Sequence, residues 1–171
     1  YIPGNLGHSG YSYKRIITSL FTYDGIFGTP MAVTITFVAM FIIFAAILNL
    51  TGVGNIFLDL SKAVAGGYRG GPAKMATIAS GLFGSISGSA VANVAATGSL
   101  TIPMMKKLGY KKSYAGAIEA AASTGGQFMP PIMAAGAFLM AEIVGVPYIE
   151  IMKAALIPSL LFYITMWFSI D

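Results

Sequence analysis

Residues 75–103 read MATIASGLFGSISGSAVANVAATGSLTIP, an uncharged stretch that glycine and serine interrupt near its middle. Basic residues flank it on both sides, with Arg69 and Lys74 before it and a group of lysines after it. Lys and Arg collect in short cytoplasmic loops, so a segment that crosses a bilayer once carries them mainly at one end. Positive charge at both ends therefore predicts a segment that enters a membrane from the cytoplasmic side, turns at residues 87–89 and returns.

The composition is that of an integral membrane protein. Hydrophobic residues make up 56% of the 171 residues and charged residues 9%, whereas soluble domains carry roughly 25% charged residues. A net charge of +4 would suggest nucleic acid binding in a soluble protein. However, seven of the ten Lys and Arg residues lie between Lys62 and Lys112, beside apolar spans. We therefore interpret the charge as membrane topology, with the lipid bilayer and not nucleic acid as the partner.

The sequence predicts an all-α integral membrane fold, a polytopic helical bundle. Because the chain starts at Tyr1 and ends directly after an apolar run, we interpret it as part of a longer protein.

The segment that enters the membrane and returns is a predicted helical hairpin. Its arms are residues 75–86 and 90–104, each about half a bilayer long at ~1.5 Å per residue. The alternative is one long tilted helix through residues 74–105. The predicted segments are a polar loop with an interfacial helix (1–29), a transmembrane helix and a cytoplasmic-side helix (30–74), the hairpin (75–105), a broken helix (113–145) and a transmembrane helix (146–171).

The broken helix is predicted from residues 123–131, which read STGGQFMPP. Two prolines remove hydrogen-bond donors and clash with the preceding turn, and paired glycines loosen the backbone. We expect helix on either side, over residues 115–122 and 132–143. Discontinuous helices of this kind bind ions and substrates in many secondary transporters.

The two interrupted regions supply hydroxyls, side-chain amides and unpaired carbonyls. Such neutral oxygens suit a hard monovalent cation such as Na⁺, and no transition-metal site is expected. The helix that starts near Ala90 points its amino end at the same place, which favours an anion such as a carboxylate. The alternative is structural: glycines that allow helices to pack closely, and hydroxyls bonded back to their own helices.

Glu119 is the acid that lies well inside an apolar stretch, and two interpretations stay open for it. An ionisable residue at such a position is a functional candidate, here for proton coupling. Alternatively, it lies near the cytoplasmic interface and pairs with Lys111 and Lys112. Neither a phosphate-binding loop nor a Ser/His/Asp set is present, and the absence of cysteine removes thiol chemistry. The sequence therefore argues against an enzyme.

Several motifs resemble the large membrane subunit of TRAP (tripartite ATP-independent periplasmic) transporters. They cover about residues 24–148. Gln127-Phe128-Met129, within the motif at residues 125–131, is similar to the fused-membrane-subunit branch that works with TAXI-type binding proteins. The motifs are GIFGTP at 25–30, RGGPAK at 69–74, GSISGSAVAN at 84–93, the segment from Gly98 to Met105, Gly109-Tyr110, residues 115–122 and GGQFMPP at 125–131.

The resemblance implies an elevator-type secondary transporter in the bacterial cytoplasmic (inner) membrane. It implies uptake of a small organic solute, usually a carboxylate, driven by a cation gradient, with Na⁺ as the coupling ion, H⁺ as the alternative and no other cofactor. The expected partners are a periplasmic solute-binding protein and a small membrane subunit or its fused equivalent. The family has two inverted halves, and residues 75–145 would be the transport-domain part of one half.

The resemblance also places the binding residues. Cation ligands would be Ser87, Gly88, Ser89, Asn93, Gly125 and Gly126. Solute contacts are expected at Ser89, Asn93, Gln127 and Pro130. The alternative function is a channel or pore whose re-entrant segment forms a selectivity filter.

Overall fold

The computed structural model describes residues 10–22 and 25–170, and every regular element among them is helical. A π-helical turn, Thr34–Val38, joins the second helix to the third. Residues 1–9, 23 and 24 of the predicted polar segment lie outside the described residues, and α1 lies within the segment predicted to contain an interfacial helix. The helices are α1 Tyr13–Leu20, α2 Thr29–Val33, α3 Ala39–Leu50, α4 Val53–Ala65, α5 Gly71–Ser87, α6 Ala90–Lys107, α7 Lys112–Gly126, α8 Ala135–Val144 and α9 Tyr148–Ser169.

Two helical segments in the described part of the chain are long and apolar enough to cross a membrane, Thr29–Leu48 and α9. Pro30 lies in the first turn of the first segment, where its missing N–H costs no helical hydrogen bond. Both segments leave most of their residues exposed. Their positions agree with the transmembrane helices predicted within residues 30–74 and 146–171.

Helices α5 and α6 form a helical hairpin, so the alternative of one long tilted helix is wrong. The turn consists of Gly88, whose φ of 62° ends α5, and Ser89, whose hydroxyl accepts a hydrogen bond from the Ala92 N–H at 3.3 Å and caps α6. The arms are longer than predicted, with 17 and 18 residues. They span about 26 and 27 Å at ~1.5 Å per residue, so half-bilayer arms are also wrong. Pro72 in its first turn lets α5 begin at Gly71.

Helix α5 is the centre of the fold, because it packs against α4, α6 and α7. Small residues permit this close packing. A Cβ atom added to Gly84 would lie 2.6 Å from the Gly126 Cα atom, so α5 and α7 touch through their backbones. Residues from α5, α6, α7 and the end of α9 make up the main apolar cluster: Ala73, Ala76, Met105, Ala115, Ile118 and Ile170.

The predicted helix break lies between α7 and α8, but it begins later than expected. Helix α7 continues through Gly125 and Gly126, so the prediction that residues 123–126 are not helical is wrong, as is the predicted start of the next helix at Ile132. Tertiary packing overrides the glycines: Gly126 lies against α5, and a Cβ atom on Gly125 would lie 2.7 Å from the Phe162 Cδ1 atom of α9. The unwound segment is therefore residues 127–134.

Candidate functional site

The hairpin turn and the helix break touch each other. The backbone N–H of Ile132, in the break, donates to the carbonyl of Ser85 at 3.0 Å. Gly88 approaches the carbonyl oxygen of Met133 so closely that there is no space for a Cβ atom. Two interrupted segments that lie about forty residues apart in the sequence thus form one junction, which we call the tip–break junction (residues 85–89 and 127–134).

The break is held in an irregular conformation from several sides. Met133 has a positive φ of 61°, and the Ala134 N–H donates to the Gln127 carbonyl at 2.7 Å. From α9, the Tyr148 hydroxyl donates to the carbonyls of Pro131, at 3.2 Å, and of Ile132. These contacts satisfy backbone groups that helix geometry leaves unpaired.

The residues predicted to bind a cation or solute lie partly at the junction and partly within the helices, where Gly125 and Gly126 end α7. Gly88, Ser89, Gln127 and Pro130 lie at the junction and are half-buried. Ser87 belongs to the hairpin side of the junction, and it also lines a cavity of about 10 Å³ together with residues of α3 and α4. Its hydroxyl is buried and makes no hydrogen bond within the described part of the chain. The predicted set is therefore brought together in part.

Asn93 lies beneath the junction and connects the arms of the hairpin. It is fully buried, and its side-chain N–H₂ donates to the Ser80 carbonyl at 2.7 Å. Its side-chain oxygen lies 3.1 Å from the Thr97 hydroxyl oxygen. The Asn93 amide is thus engaged inside the protein, next to Gly84 and Gly126.

A second polar cluster surrounds Glu119, which is fully buried. Its Oε1 atom accepts hydrogen bonds of 2.5 Å from the hydroxyls of Ser80 and Thr97. Its Oε2 atom accepts one of 2.5 Å from Thr101, and Ser123 lies 3.4 Å from Oε1. We call these four hydroxyl residues and the carboxylate the Glu119 cluster. The cluster joins α5, α6 and α7 in the interior.

The interpretation of Glu119 as an interfacial ion-pair residue is wrong. Lys111 and Lys112 are exposed, and hydroxyls provide the hydrogen bonds to the buried carboxylate. Lys111, Ala115 and Glu119 follow one another at intervals of about one helical turn. Ala115 and Ile118 pack into the apolar cluster, so this part of α7 faces the interior. Distance along the sequence from the lysines therefore did not place Glu119 at the surface.

The hydroxyl residues of this cluster were not predicted, although α6 carries a usable signal. Asn93, Thr97 and Thr101 are spaced by four residues within an apolar segment, which places them on one face of a helix. All three are buried. A polar stripe of this kind predicts a buried partner on a neighbouring helix, here Glu119.

Comparisons with known proteins identify the family. Residues 12–171 match the family model described as "Tripartite ATP-independent periplasmic transporter, DctM component". The chain is 35% identical over 106 residues to the C4-dicarboxylate TRAP transporter large permease protein DctM of Pseudomonas aeruginosa, over 62% of this chain and 25% of that protein.

Two further relatives give the same result. The isethionate TRAP transporter permease protein DctMQ of Oleidesulfovibrio alaskensis is 41% identical over 95 residues, which are 55% of this chain and 15% of that protein. The sialic acid TRAP transporter permease protein SiaT of Haemophilus influenzae is 33% identical over 97 residues, 57% of this chain and 16% of that protein. The chain thus matches less than a third of the length of each of these three relatives.

The resemblance drawn from the sequence motifs is confirmed at the level of the family, which consists of membrane transporter components and is not a class of enzymes. The chain belongs to the DctM component family of the tripartite ATP-independent periplasmic transporters.

Proposed function

We propose that this chain is part of the large membrane subunit of a secondary transporter that takes up a small organic carboxylate, driven by a cation gradient. A periplasmic solute-binding protein delivers the solute, and a small membrane subunit or its fused equivalent completes the assembly. The transporter is a multi-pass protein of the bacterial cytoplasmic membrane. The sequence Gln127-Phe128-Met129 favours the branch that uses TAXI-type binding proteins.

The observation that carries this proposal is the tip–break junction. Irregular backbone at membrane depth is tolerated where it is buried in protein or lines a cavity, and transporters use such interrupted helices to bind ions and solutes. Here the N–H of Ile132 reaches the Ser85 carbonyl, so the two interruptions form one unit. We infer that the hairpin is re-entrant and that it moves together with the broken helix against α2–α3.

The chemistry of the solute follows from the helix end at the tip. Helix α6 starts at Ala90 with Ser89 as its cap, and the free amides and dipole of a helix N-terminus favour an anion. The three relatives described above are named for C4-dicarboxylate, isethionate and sialic acid, each of which carries an acidic group. We assign solute contact to Ser89 and Gln127 at the junction.

We assign Na⁺ to the backbone carbonyls and hydroxyls around Gly88, in keeping with the neutral oxygens of that region. The Ser87 hydroxyl, which is buried without a hydrogen-bond partner among the described residues, is available to such an ion. Asn93 and Gly126 support the site indirectly, because they hold the two arms and α7 together. Proton coupling through Glu119 is the alternative for the driving ion.

Counterflow in proteoliposomes tests the proposal. The complete transporter that contains this chain is reconstituted, and unlabelled solute inside the vesicles is expected to drive uptake of labelled solute. Replacing Na⁺ by choline outside separates sodium from proton coupling. Conductance that needs neither counterflow nor an ion gradient would overturn the carrier and support the channel alternative, which no observation on this chain favours.

A further inference from the structure

The Glu119 cluster presents a physical problem, because its carboxylate is buried and makes no ion pair within the described part of the chain. A buried ionised carboxylate is costly unless it is paired, hydrogen-bonded or neutralised by a proton. Among residues 10–22 and 25–170, no Lys or Arg makes an ion pair with Glu119, and the partners are hydroxyls. Three hydroxyl donors fit the ionised form, since a carboxylate accepts hydrogen bonds and donates none.

The same hydroxyls also fit the neutral form. Each of them has a second acceptor within reach: the Thr97 hydroxyl lies 2.9 Å from the Asn93 carbonyl, the Thr101 hydroxyl lies 3.0 Å from the Thr97 carbonyl, and the Ser80 hydroxyl lies 2.9 Å from the Thr97 hydroxyl. A hydroxyl can rotate, and it can both donate and accept. When Glu119 gains a proton, the hydroxyls can turn to these acceptors and one can accept from the acid, with no movement of heavy atoms.

Other charged and titratable groups on the packed helices lie outside this cluster. Lys74 of α5 has its ammonium 4.8 Å from the centre of the Trp167 ring. The Tyr163 hydroxyl of α9 donates to the Ala122 carbonyl at 2.8 Å. The other titratable residues on α4, α6 and α7 have exposed side chains: Asp59, Lys62, Lys106, Lys107, Lys111, Lys112 and Tyr114. Tyr110, just before α7, is half-buried.

A cavity at the surface of the described chain adjoins this cluster at Thr97. It lies between α4 and α6, has a volume of about 160 Å³, and is lined by Asn55, Ala96, Thr97 and Leu100 among others. Asn55 and Leu100 are exposed, so the cavity opens there. Its volume allows several waters, each of which needs ~10–15 Å³ of such space. Thr97 lines the cavity and also bonds the Glu119 carboxylate.

We propose that Glu119 is a reversible proton-binding site that is loaded from this cavity through the Thr97 hydroxyl. A hydronium ion in the cavity gives its proton to the Thr97 oxygen while the hydroxyl proton of Thr97 moves to Glu119 Oε1. Hydronium becomes water, the carboxylate becomes a carboxylic acid, and Thr97 is unchanged. This deepens the proposed function and rests on it for the link between proton binding and solute movement.

The geometry favours a proton over a metal cation at this position. Oε1 lies 2.5 Å from two hydroxyl oxygens, and Oε2 lies 2.5 Å from a third. These are hydrogen-bonding distances, so the oxygens leave no gap between them for an ion. The proton site is therefore separate from the Na⁺ position that we assign to the hairpin tip.

Time-resolved infrared spectroscopy tests the proton site on the complete transporter without solute. After a downward pH jump, we expect a carboxylic-acid carbonyl band that is absent in Glu119→Gln. In Thr97→Val, the band should form on the order of tenfold more slowly or worse, which corresponds to about 1.4 kcal/mol of added barrier. Thr101→Val removes a donor from the other carboxylate oxygen but does not line the cavity, so we expect it to alter the protonated fraction and to slow the reaction less.

A second pair of variants tests the route without touching the cluster. Ala96→Leu fills the cavity and should slow the band, whereas Ala95→Leu, at the exposed neighbouring position, should not. Equal rates in the two alanine variants, or equal slowing by the two threonine variants, overturn the route. Solute uptake is measured in parallel. If uptake occurs but no band is lost in Glu119→Gln, the proton site is overturned and the proposed function stands. If the band forms but uptake is absent, the proposed function is overturned and the proton site stands.

Discussion

The tip–break junction and the Glu119 cluster both lie where α5, α6 and α7 meet, but they are built from different groups. The junction is made largely of backbone contacts, as in the approach of Gly88 to the Met133 carbonyl. The cluster is made of side-chain hydroxyls around one carboxylate. A backbone junction changes by opening, because its groups cannot rotate independently. A hydroxyl cluster can change its protonation in place.

The largest effect is expected at Gly88, where a side chain would force the junction apart. Gly88→Ala places a Cβ atom against the Met133 carbonyl and in a left-handed conformation. The expected loss of stability is about 2–5 kcal/mol, of which ~1–2 is backbone strain and ~1–3 is overcrowding. Gly109→Ala is the control, since Gly109 has a φ of +91° and open space around it. Thermal unfolding and solute uptake should be affected far more by the first variant than by the second.

Gly126 tests the contact beneath the junction. Gly126→Ala places a Cβ atom 2.6 Å from the Gly84 Cα atom, and we expect a destabilisation of about 1–3 kcal/mol because neither helix backbone can yield cheaply. Gly116→Ala, on the same helix with no atom within 4 Å, should instead stabilise by roughly 0.5–1 kcal/mol. Unfolding temperatures of the two variants give the comparison. A shift of the same sign in both would contradict the packing argument.

The Glu119 cluster should tolerate the loss of its charge better than the loss of its polarity. Glu119→Gln keeps an acceptor oxygen, so we expect near-normal stability together with loss of the pH dependence of uptake. Glu119→Leu leaves the hydroxyls to their second acceptors, and we expect a cost of about 1–2 kcal/mol for imperfect pairing. Unfolding and uptake across a pH series distinguish the two. If Glu119→Gln unfolds as readily as Glu119→Leu, the cluster depends on charge and the two-state hydrogen-bond network is wrong.

The sequence was sufficient for features that depend on local backbone chemistry. A turn within residues 87–89 and a helix break at Pro130 and Pro131 were predicted because glycine and paired prolines limit what the chain can do locally. The helical state of Gly125 and Gly126 was not predicted, since it depends on their contacts with Phe162 and Gly84. Tertiary packing overrode the local preference there.

The sequence also left Glu119 undecided for a physical reason. Its environment is made by Ser80 on one helix and by Thr97 and Thr101 on another, and the choice between a buried and an interfacial carboxylate depends on which faces of the helices meet. The spacing of four residues on α6 defines a polar face but does not identify the partner of that face. The hairpin arms are also longer than predicted, because α5 already begins at Gly71 and because Lys106 and Lys107 continue α6.

The smallest effect is expected at Tyr148, which fastens the break without being part of the junction backbone. Tyr148→Phe removes the hydroxyl that donates to the Pro131 and Ile132 carbonyls but keeps the ring stacked on Phe138, with ring centres 4.3 Å apart. The expected cost is about 0.5–1.5 kcal/mol, the net value of a typical hydrogen bond. Hydrogen exchange should increase at residues 132–134 and stay unchanged in α6 near Glu119. Tyr114→Phe, at an exposed site whose hydroxyl makes a long 3.4 Å contact, is the control. Faster exchange near Glu119 in Tyr148→Phe would mean that the two regions open together, and the contrast between an opening junction and a cluster that switches in place would then fail.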